Sequence, residues 1–483
     1  MNKNLLFLLL IPFLGFSQVQ IGQDIDGEAA GVYSGSSTSL SADGSIIATG
    51  SLSGDNNKGL VRIYQNISGV WTKLGQDLKG KATGDGYGAN VSLSADGTIL
   101  AISASAAGNI ATTSYVQVYK YITGNWTKIG QDITGARMGN VPKLSSDGSI
   151  LAIGNSNTTG FSGNGHGSVR VFKNVSGTWT QIGQEIFGYN NADWNGFDVS
   201  ISADGNILAM GAPVNHGIAN TNQISYVRIF RNSSGAWTQI GQDIEGVLQD
   251  QSGRSVSLSA DGATIAIGAM NFSSNGMINK GKVKVFQNIS NNWTQIGQDI
   301  EGVANHDLCG YNVSLSANSK VLVVSSARNN QKGTFFSIVK IYENIGNTWV
   351  QKGNNILQEA DGDAAHYISL SSNGKKLAIG APYNDGNGLN SGHVRVYDLS
   401  GILSNNEFVS QNFNIYPNPT SDILNVSLEN NLVLEQVTIY NNLGQVVKKA
   451  TENVINVSQF SKGLYFVEVT TNQGKATKKV IVK

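Results

Sequence analysis

One segment is written seven times in this chain, and that recurrence limits the possible folds more than any other feature. Its clearest copy runs from Val256 to Ile300. It opens V-S-L-S-A-D-G-A-T-I-A-I-G, passes through G-K-V-K-V-F-Q-N-I-S-N-N and closes W-T-Q-I-G-Q-D-I. The glycine of the closing box recurs at Gly22, Gly75, Gly130, Gly183, Gly241, Gly297 and Gly353, at spacings of 53 to 58 residues. A period of this length marks stacked units, none of which can bury its apolar surface alone.

Each unit holds four strand-like runs. Strand a is V-S-L-S, as at Val91 to Ser94, and strand b is L-A-I-G, as at Leu151 to Gly154. Asp-Gly lies between them from Asp43-Gly44 to Asp261-Gly262, giving way to Asn318-Ser319 and Asn373-Gly374 in the last two copies. That pair predicts a tight hairpin with positive φ at both central residues. Strand c is V-R-V-Y or a variant, from Val61 to Tyr64 through to Val394 to Tyr397. Its alternation places Val on one face and Arg or Lys on the other. Strand d is the W-T-Q-I-G-Q-D-I run, and its tryptophans, Trp71 to Trp349, read as packing anchors.

A single four-stranded sheet cannot cover both its faces, whereas several stacked radially can. Strands a, b and c occur seven times, but only six copies of strand d carry tryptophan. The remaining one stands at the front: Val19 to Ile25 is a strand d with no preceding a, b or c. The expectation is an all-β chain, with a seven-bladed β-propeller at residues 18–400. Its N-terminal strand should complete the last blade beside Val394 to Tyr397. A linker at 401–412 and a small C-terminal β-sandwich at 413–483 follow.

Charged residues make up 14% of the 483, and the formal net charge is zero. Such a balance leaves no electrostatic footprint for nucleic acid. Cys309 is the single cysteine, so no intramolecular disulfide can form. Residues 1–17 carry Lys3, an apolar run from Leu5 to Phe16 and small residues at Gly15 and Ser17, the pattern of a secretory signal peptide. The run is shorter than the roughly 20 residues that spanning a bilayer needs. The mature chain is expected to begin near Gln18 and to hold no transmembrane segment.

Gly211-Ala212-Pro213, Gly380-Ala381-Pro382 and Tyr87-Gly88 before V-S-L-S resemble the FG-GAP propeller repeats, also found in integrin α-chain heads. The resemblance covers about residues 19–400. Blades of the integrin type carry calcium loops between strands a and b. Here that loop is S-A-D-G, whose one carboxylate falls short of the 6–8 oxygens calcium takes. No metal and no cofactor are therefore expected.

The C-terminal segment contains Y-P-N-P at Tyr416 to Pro419, Y-N-x-x-G-Q at Tyr440 to Gln445, G-L-Y-F-V from Gly463 and a terminal K-K-V-I-V-K. Four boxes in this order resemble the type A C-terminal sorting domain of the type IX secretion system of Bacteroidota. The resemblance implies handling by that machinery through residues 413–483, and a place outside the cell, released or attached to the outer surface.

Short a–b and c–d turns repeat along the chain, while the b–c and d–a loops differ in every copy. Variable loops on a rigid scaffold are where binding residues gather. All five histidines fall there: His166, His216 and His393 in or beside b–c loops, His306 and His366 in d–a loops. They show no metal-ligand spacing and read as solvated loop residues. At the entrance to strand a, a small residue (Gly35, Gly88, Gly139, Gly196, Gly253, Gly310 or Ala365) precedes a variable one: Ser36, Ala89, Asn140, Phe197, Arg254, Tyr311 or His366. These seven are expected to ring the mouth of a central channel. Trp194, Phe197, Arg254, Tyr311 and His366 are the candidate ligand-binding residues, through ring stacking and fixed donors. Asp193, Asp307, Asp361 and Asp363 supply acids on the same face, and no nucleophile elbow or P-loop is present. The expected role is a non-catalytic, surface or secreted module that binds a glycan or a protein, as an adhesin does. The alternative is an extracellular polysaccharide-degrading enzyme on the same scaffold, with two of those acids as its catalytic pair.

Overall fold

A computed structural model describes residues 18–105, 114–135, 141–156, 165–214, 223–329, 335–403, 412–429, 432–471 and 474–483. The signal-peptide reading, Gly139, Asn140, His216 and most of the expected linker lie outside the described residues. The chain divides into two compact units that meet at Leu399 and Ser400.

In the first unit, seven antiparallel sheets each run a, b, c, d in order. The first is Ser34–Leu40, Ile46–Ser51, Leu60–Ile67 and Val70–Lys73. Each strand a packs against that of the next sheet, and the strand a at Tyr367–Leu370 packs against Ser34–Leu40. This is a β-propeller. Its cores lie between neighbouring sheets: Ala48, Val61 and Ile63 of one sheet meet Leu93, Leu100 and Trp126 of the next.

The N-terminal strand closes the ring. Val19 pairs with Asp398 and Gln20 with Tyr397. The Ile21 N–H donates to the Val396 carbonyl at 2.7 Å, and Ile25 pairs with Val394. The last sheet is thus built from both ends of the unit.

Strand d departs from the expected continuous run. In six of the sheets W-T-Q or its counterpart is a strand, the chain then breaks at Gly-Gln, and the box's last Ile or Leu rejoins strand c, as in the pairing of Leu78 with Val61. In the sixth sheet, Thr348–Leu357 stays one strand with a bulge. The break has a reason. At Gly241, φ is +71°, and a Cβ would come 2.6 Å from Cδ1 of Trp293 in the next sheet. The indole instead lies over bare backbone, and its Nε1–H donates to the Ile240 carbonyl at 2.9 Å. Gln242 then reaches across: its Nε2–H donates to the Trp293 carbonyl at 2.9 Å, and its Oε1 accepts the Trp293 N–H at 3.1 Å. The same Gln–Trp clamp joins Gln23 to Trp71, Gln76 to Trp126, Gln131 to Trp179, Gln184 to Trp237 and Gln298 to Trp349.

At the junction that the N-terminus closes, the pairing is reversed. Gln18 stands where the other sheets have tryptophan. Its side-chain amide donates to the Asn354 carbonyl and its Oε1 accepts the Asn354 N–H at 3.2 Å. The clamp survives with its side chain supplied from the other partner.

The a–b turn also differs from the expected one. Only the glycine is left-handed, with Gly44 at φ +70° and Asp43 in an ordinary conformation. Asp43 accepts the Ser41 hydroxyl at 2.7 Å and the Ser45 N–H at 2.9 Å, while Ser41 Oγ accepts the Ile46 N–H at 3.0 Å. These bonds hold the Asp43 carboxyl below its usual pKa despite the opposing effect of burial. The aspartates of this column therefore build the turn.

The second unit is a β-sandwich. Phe413–Tyr416, Ile423–Leu428 and Val454–Asn456 form one sheet; Leu434–Tyr440, Val446–Ala450, Gly463–Thr471 and Gly474–Val482 form the other. Phe413, Leu424, Val437, Val467 and Val480 fill the space between.

Candidate functional site

The seven a strands surround a channel, and its wide end, on the side of the d–a loops, is a cavity of about 430 Å³ lined by residues of all seven sheets. Short side chains set its width: the variable position is followed along each strand by alternating residues that face either the channel or the neighbouring sheet. The second position of V-S-L-S forms a belt of serines. Ser39 Oγ accepts the Leu93 N–H of the next sheet at 2.9 Å, Ser92 the Leu144 N–H at 3.0 Å and Ser257 the Leu315 N–H at 2.9 Å. Ser200, Ser314 and Ser369 repeat the bond. The third sheet breaks the belt, where V-P-K-L puts Lys143 in the serine position. Sequence reasoning passed over Lys143, although it interrupts a repeated column.

The predicted site residues come together at the mouth. Trp194 and Phe197 stack, with centroids 5.7 Å apart and planes 13° from parallel. The Arg254 guanidinium lies 4.8 Å from the centroid of Phe197 and 4.8 Å from that of Tyr311. Tyr311 meets His366 edge-on at 4.4 Å, and His366 meets Tyr367 at 4.7 Å. Four adjacent sheets thus share one continuous chain of rings and a guanidinium. Ser36 and Ala89, the variable residues of the first two sheets, leave the other side of the mouth without rings. Tyr367 was missed because it follows the variable column by one residue.

Trp194 has φ +55°, and so do its counterparts in other sheets: Tyr33 at +55°, Gln251 at +54° and Leu308 at +52°. The strain belongs to the loop, whose turn the Phe197 N–H closes on the Trp194 carbonyl at 3.0 Å.

Two expectations are corrected here. His366 and His393 are not solvated: they are 4% and 2% exposed. His366 Nδ1 lies 3.2 Å from Ser337 Oγ. Burial and the neighbouring Arg254 push its pKa down to about 3, so the ring is neutral and packs behind the mouth between Tyr311 and Tyr367. His393 lies at the ring closure. Its Nδ1 is 3.5 Å from Asp24 and 3.8 Å from Glu359, and Nε2 accepts the Arg395 Nε–H at 3.4 Å. Asp24, Asp26 and His393 place their ligand-type atoms within 4.8 Å of one another. Both nitrogens of the ring already have protein partners there, and the cluster fastens the N-terminal segment.

The acids are the second correction. Asp193, Asp307 and Asp363 are buried, each in its own sheet, and accept loop N–H groups. Asp193 takes the Asn190 N–H at 2.7 Å and the Tyr226 hydroxyl at 2.6 Å. Asp307 takes the Val303 and Ala304 N–H groups at 2.7 and 2.9 Å, and Asp363 takes that of Ala360 at 2.9 Å. They hold the d–a loops in shape. Asp361 is exposed.

The sandwich brings the C-terminal boxes together. Asn418 of Y-P-N-P donates through Nδ2 to the Lys479 carbonyl at 2.9 Å and accepts the Ile481 N–H at 3.0 Å, tying that box to the terminal strand. Asn441 accepts the Leu443 and Gln445 N–H groups at 3.0 Å and shapes the Y-N-x-x-G-Q turn.

Residues 414–483 match the secretion system C-terminal sorting domain. This tail marks a protein carried out by type IX secretion and either released or attached to the cell surface, as in Bacteroidota. Among curated proteins, the ulvan lyase NLR42 of Nonlabens ulvanivorans is 41% identical over 66 residues, 13% of this chain and 12% of that protein. Three solved structures resemble the chain at low identity. A Kuenenia stuttgartiensis hydrazine synthase chain has 13% identity and a TM-score of 0.49, covering 75% of this chain and 94% of that one. The WD40 repeats of RRP9 have 11% identity and a TM-score of 0.47, covering 79% and 99%. A putative 6-phosphogluconolactonase from Bacteroides uniformis has 14% identity and a TM-score of 0.46, covering 68% and 86%. Among the described residues no helix is long and apolar enough to cross a membrane.

Proposed function

We propose that the propeller is an extracellular binding module for a glycan, held at the wide mouth of its channel. The observation that carries this reading is the unbroken chain Trp194–Phe197–Arg254–Tyr311–His366–Tyr367, of which Phe197, Arg254, Tyr311 and Tyr367 line a cavity of about 430 Å³. Flat faces in a row suit sugar rings, and the buried acids beneath lock the loops that carry them. Adhesion to a surface polysaccharide follows from that binding and from display outside the cell.

The second reading is a polysaccharide-degrading enzyme. Its support is the short likeness to the ulvan lyase. The three buried acids of the mouth are committed to backbone N–H groups, which favours binding over hydrolysis.

A glycan array probed with the purified full chain tests the proposal. At least one oligosaccharide class should bind, and Trp194→Ala and Phe197→Ala should each weaken that hit roughly tenfold, an aromatic contact of about 1 kcal/mol or more. A hit unaffected by both substitutions would move the site elsewhere. Steady release of reducing ends from the bound glycan would favour the enzyme.

A further inference from the structure

We propose that the ligand of this mouth is an acidic saccharide, carrying uronate carboxylates or sulfates, and that Arg254 and Lys143 hold its negative group. The inference rests on the glycan reading and adds the charge of the ligand.

Arg254 supplies the first reason. Its guanidinium lies over two aromatic rings, and its Nε is buried with no hydrogen-bond partner among the described residues. Elsewhere in the propeller, Arg62 is answered by Asp77 at 2.9 Å and Arg395 by Glu359 at 3.2 Å, while Arg228, also stacked on rings, and Arg170 donate to the backbone carbonyls of Phe187 and Thr134. No such pair forms at Arg254 among the described residues. A stacked guanidinium keeps its planar fork of donors for an oxyanion.

Lys143 supplies the second. It replaces one member of the serine belt and lines the same cavity. Its ammonium has no ion pair among the described residues. The six serines accept backbone N–H groups through their oxygens, which leaves each hydroxyl hydrogen for a guest in the channel. The belt therefore offers donors alongside the cation.

Asp198 is the one acid among the lining residues, and it is already engaged. Its carboxylate accepts the Val199 N–H and the Val256 N–H at 2.9 Å each, and the Ser255 hydroxyl at 3.3 Å. Two cations thus face the cavity against one carboxylate saturated with donors. An oxyanion entering beside the stacked rings meets two charged donors and several neutral ones, whereas a neutral sugar leaves both cations uncompensated.

The experiment is titration calorimetry on the full chain with four probes at low and high salt: pentagalacturonate, a sulfated carrageenan hexasaccharide, neutral cellopentaose and a polyglutamate peptide. At least one acidic sugar should bind more tightly than cellopentaose, by roughly tenfold to a hundredfold for one or two charge-assisted bonds, and should weaken with added salt. Which acidic sugar binds separates carboxylate from sulfate. Arg254→Met and Lys143→Ser should each reduce that affinity about tenfold or more. Lys143→Ser restores the repeat's own residue, so the fold is not at risk in that variant. Equal binding of cellopentaose, reduced by Trp194→Ala but unchanged by Arg254→Met and Lys143→Ser, would overturn the charge assignment and keep the glycan site. Polyglutamate binding as tightly as the sugars, with the same dependence on both cations, would overturn the saccharide part. No binding of either acidic sugar would overturn the inference as a whole.

Discussion

Ile25 and Ile244 hold the same place in two sheets and are buried alike, 4% and 5% exposed. Each pairs with the first valine of a strand c, Val394 and Val227 respectively. Truncating either to alanine leaves a similar cavity and should lower global stability by about 2–5 kcal/mol. Their connections differ. Ile244 lies mid-chain and pairs with a strand of its own repeat, whereas Ile25 sits on the N-terminal segment, which pairs with a strand c more than 360 residues away. Six hydrogen bonds fasten residues 18–25 besides the short ladder: Ile21 to Val396, two between Gln23 and Trp71, the Trp71 indole to the Ile21 carbonyl, and two between Gln18 and Asn354. At about 1 kcal/mol net each they contribute about 6 kcal/mol, and the Ile25 side chain adds about 2–3. Ile25→Ala should therefore make local release of the segment roughly 30- to 150-fold more frequent, read as faster hydrogen exchange of the Ile21 amide. Ile244→Ala should lower the melting temperature similarly and leave that amide protected. Equal exchange at Ile21 in the two variants would refute the reasoning that the N-terminal segment is a separable clasp.

Further outcomes follow from other parts of the molecule. Gly241→Ala should cost about 2–4 kcal/mol through left-handed strain and the clash with Trp293, measured by chemical denaturation; a neutral result would mean that the indole moves aside easily. Lys143→Ser should raise stability by about 1 kcal/mol, because a serine there can accept the Ile201 N–H as its counterparts do in the other sheets, and a lower denaturation midpoint would contradict this. His366 has a folded pKa below its unfolded one, so its stabilising contribution is present above pH about 6.5 and is lost as pH falls towards about 3. The slope is at most about 1.4 kcal/mol per pH unit, and His366→Phe should flatten the stability profile over that window; an unchanged profile would assign the acid sensitivity to other groups.

The repeat made most of the fold legible, because its strands alternate locally and its odd strand count pointed to closure by the front of the chain. The I-G-Q-D-I box was legible as a pattern and opaque as a device. Gln242 and Trp293 are 51 residues apart, and nothing local shows that an amide side chain will clamp the backbone of the next sheet. The rim residues were readable because they vary where neighbours repeat; the same signal at Lys143 lay in a column taken as structural. Asp193 and His366 looked like surface chemistry because their types are polar. Burial, which comes from loops folding over them, decides their roles.

The reversed Gln18–Asn354 pairing has a consequence for how the ring is assembled. Six near-identical locks would accept one another's parts, and a propeller missing one unit could still shut at the wrong place. The odd lock is made by the segment that leads the chain, and the strand beside that segment, Val394 to Tyr397, is among the last portions of the propeller to be made. A product that ends before Val394 leaves its leading segment without the strand it pairs with, so closure of the ring waits on the last repeat.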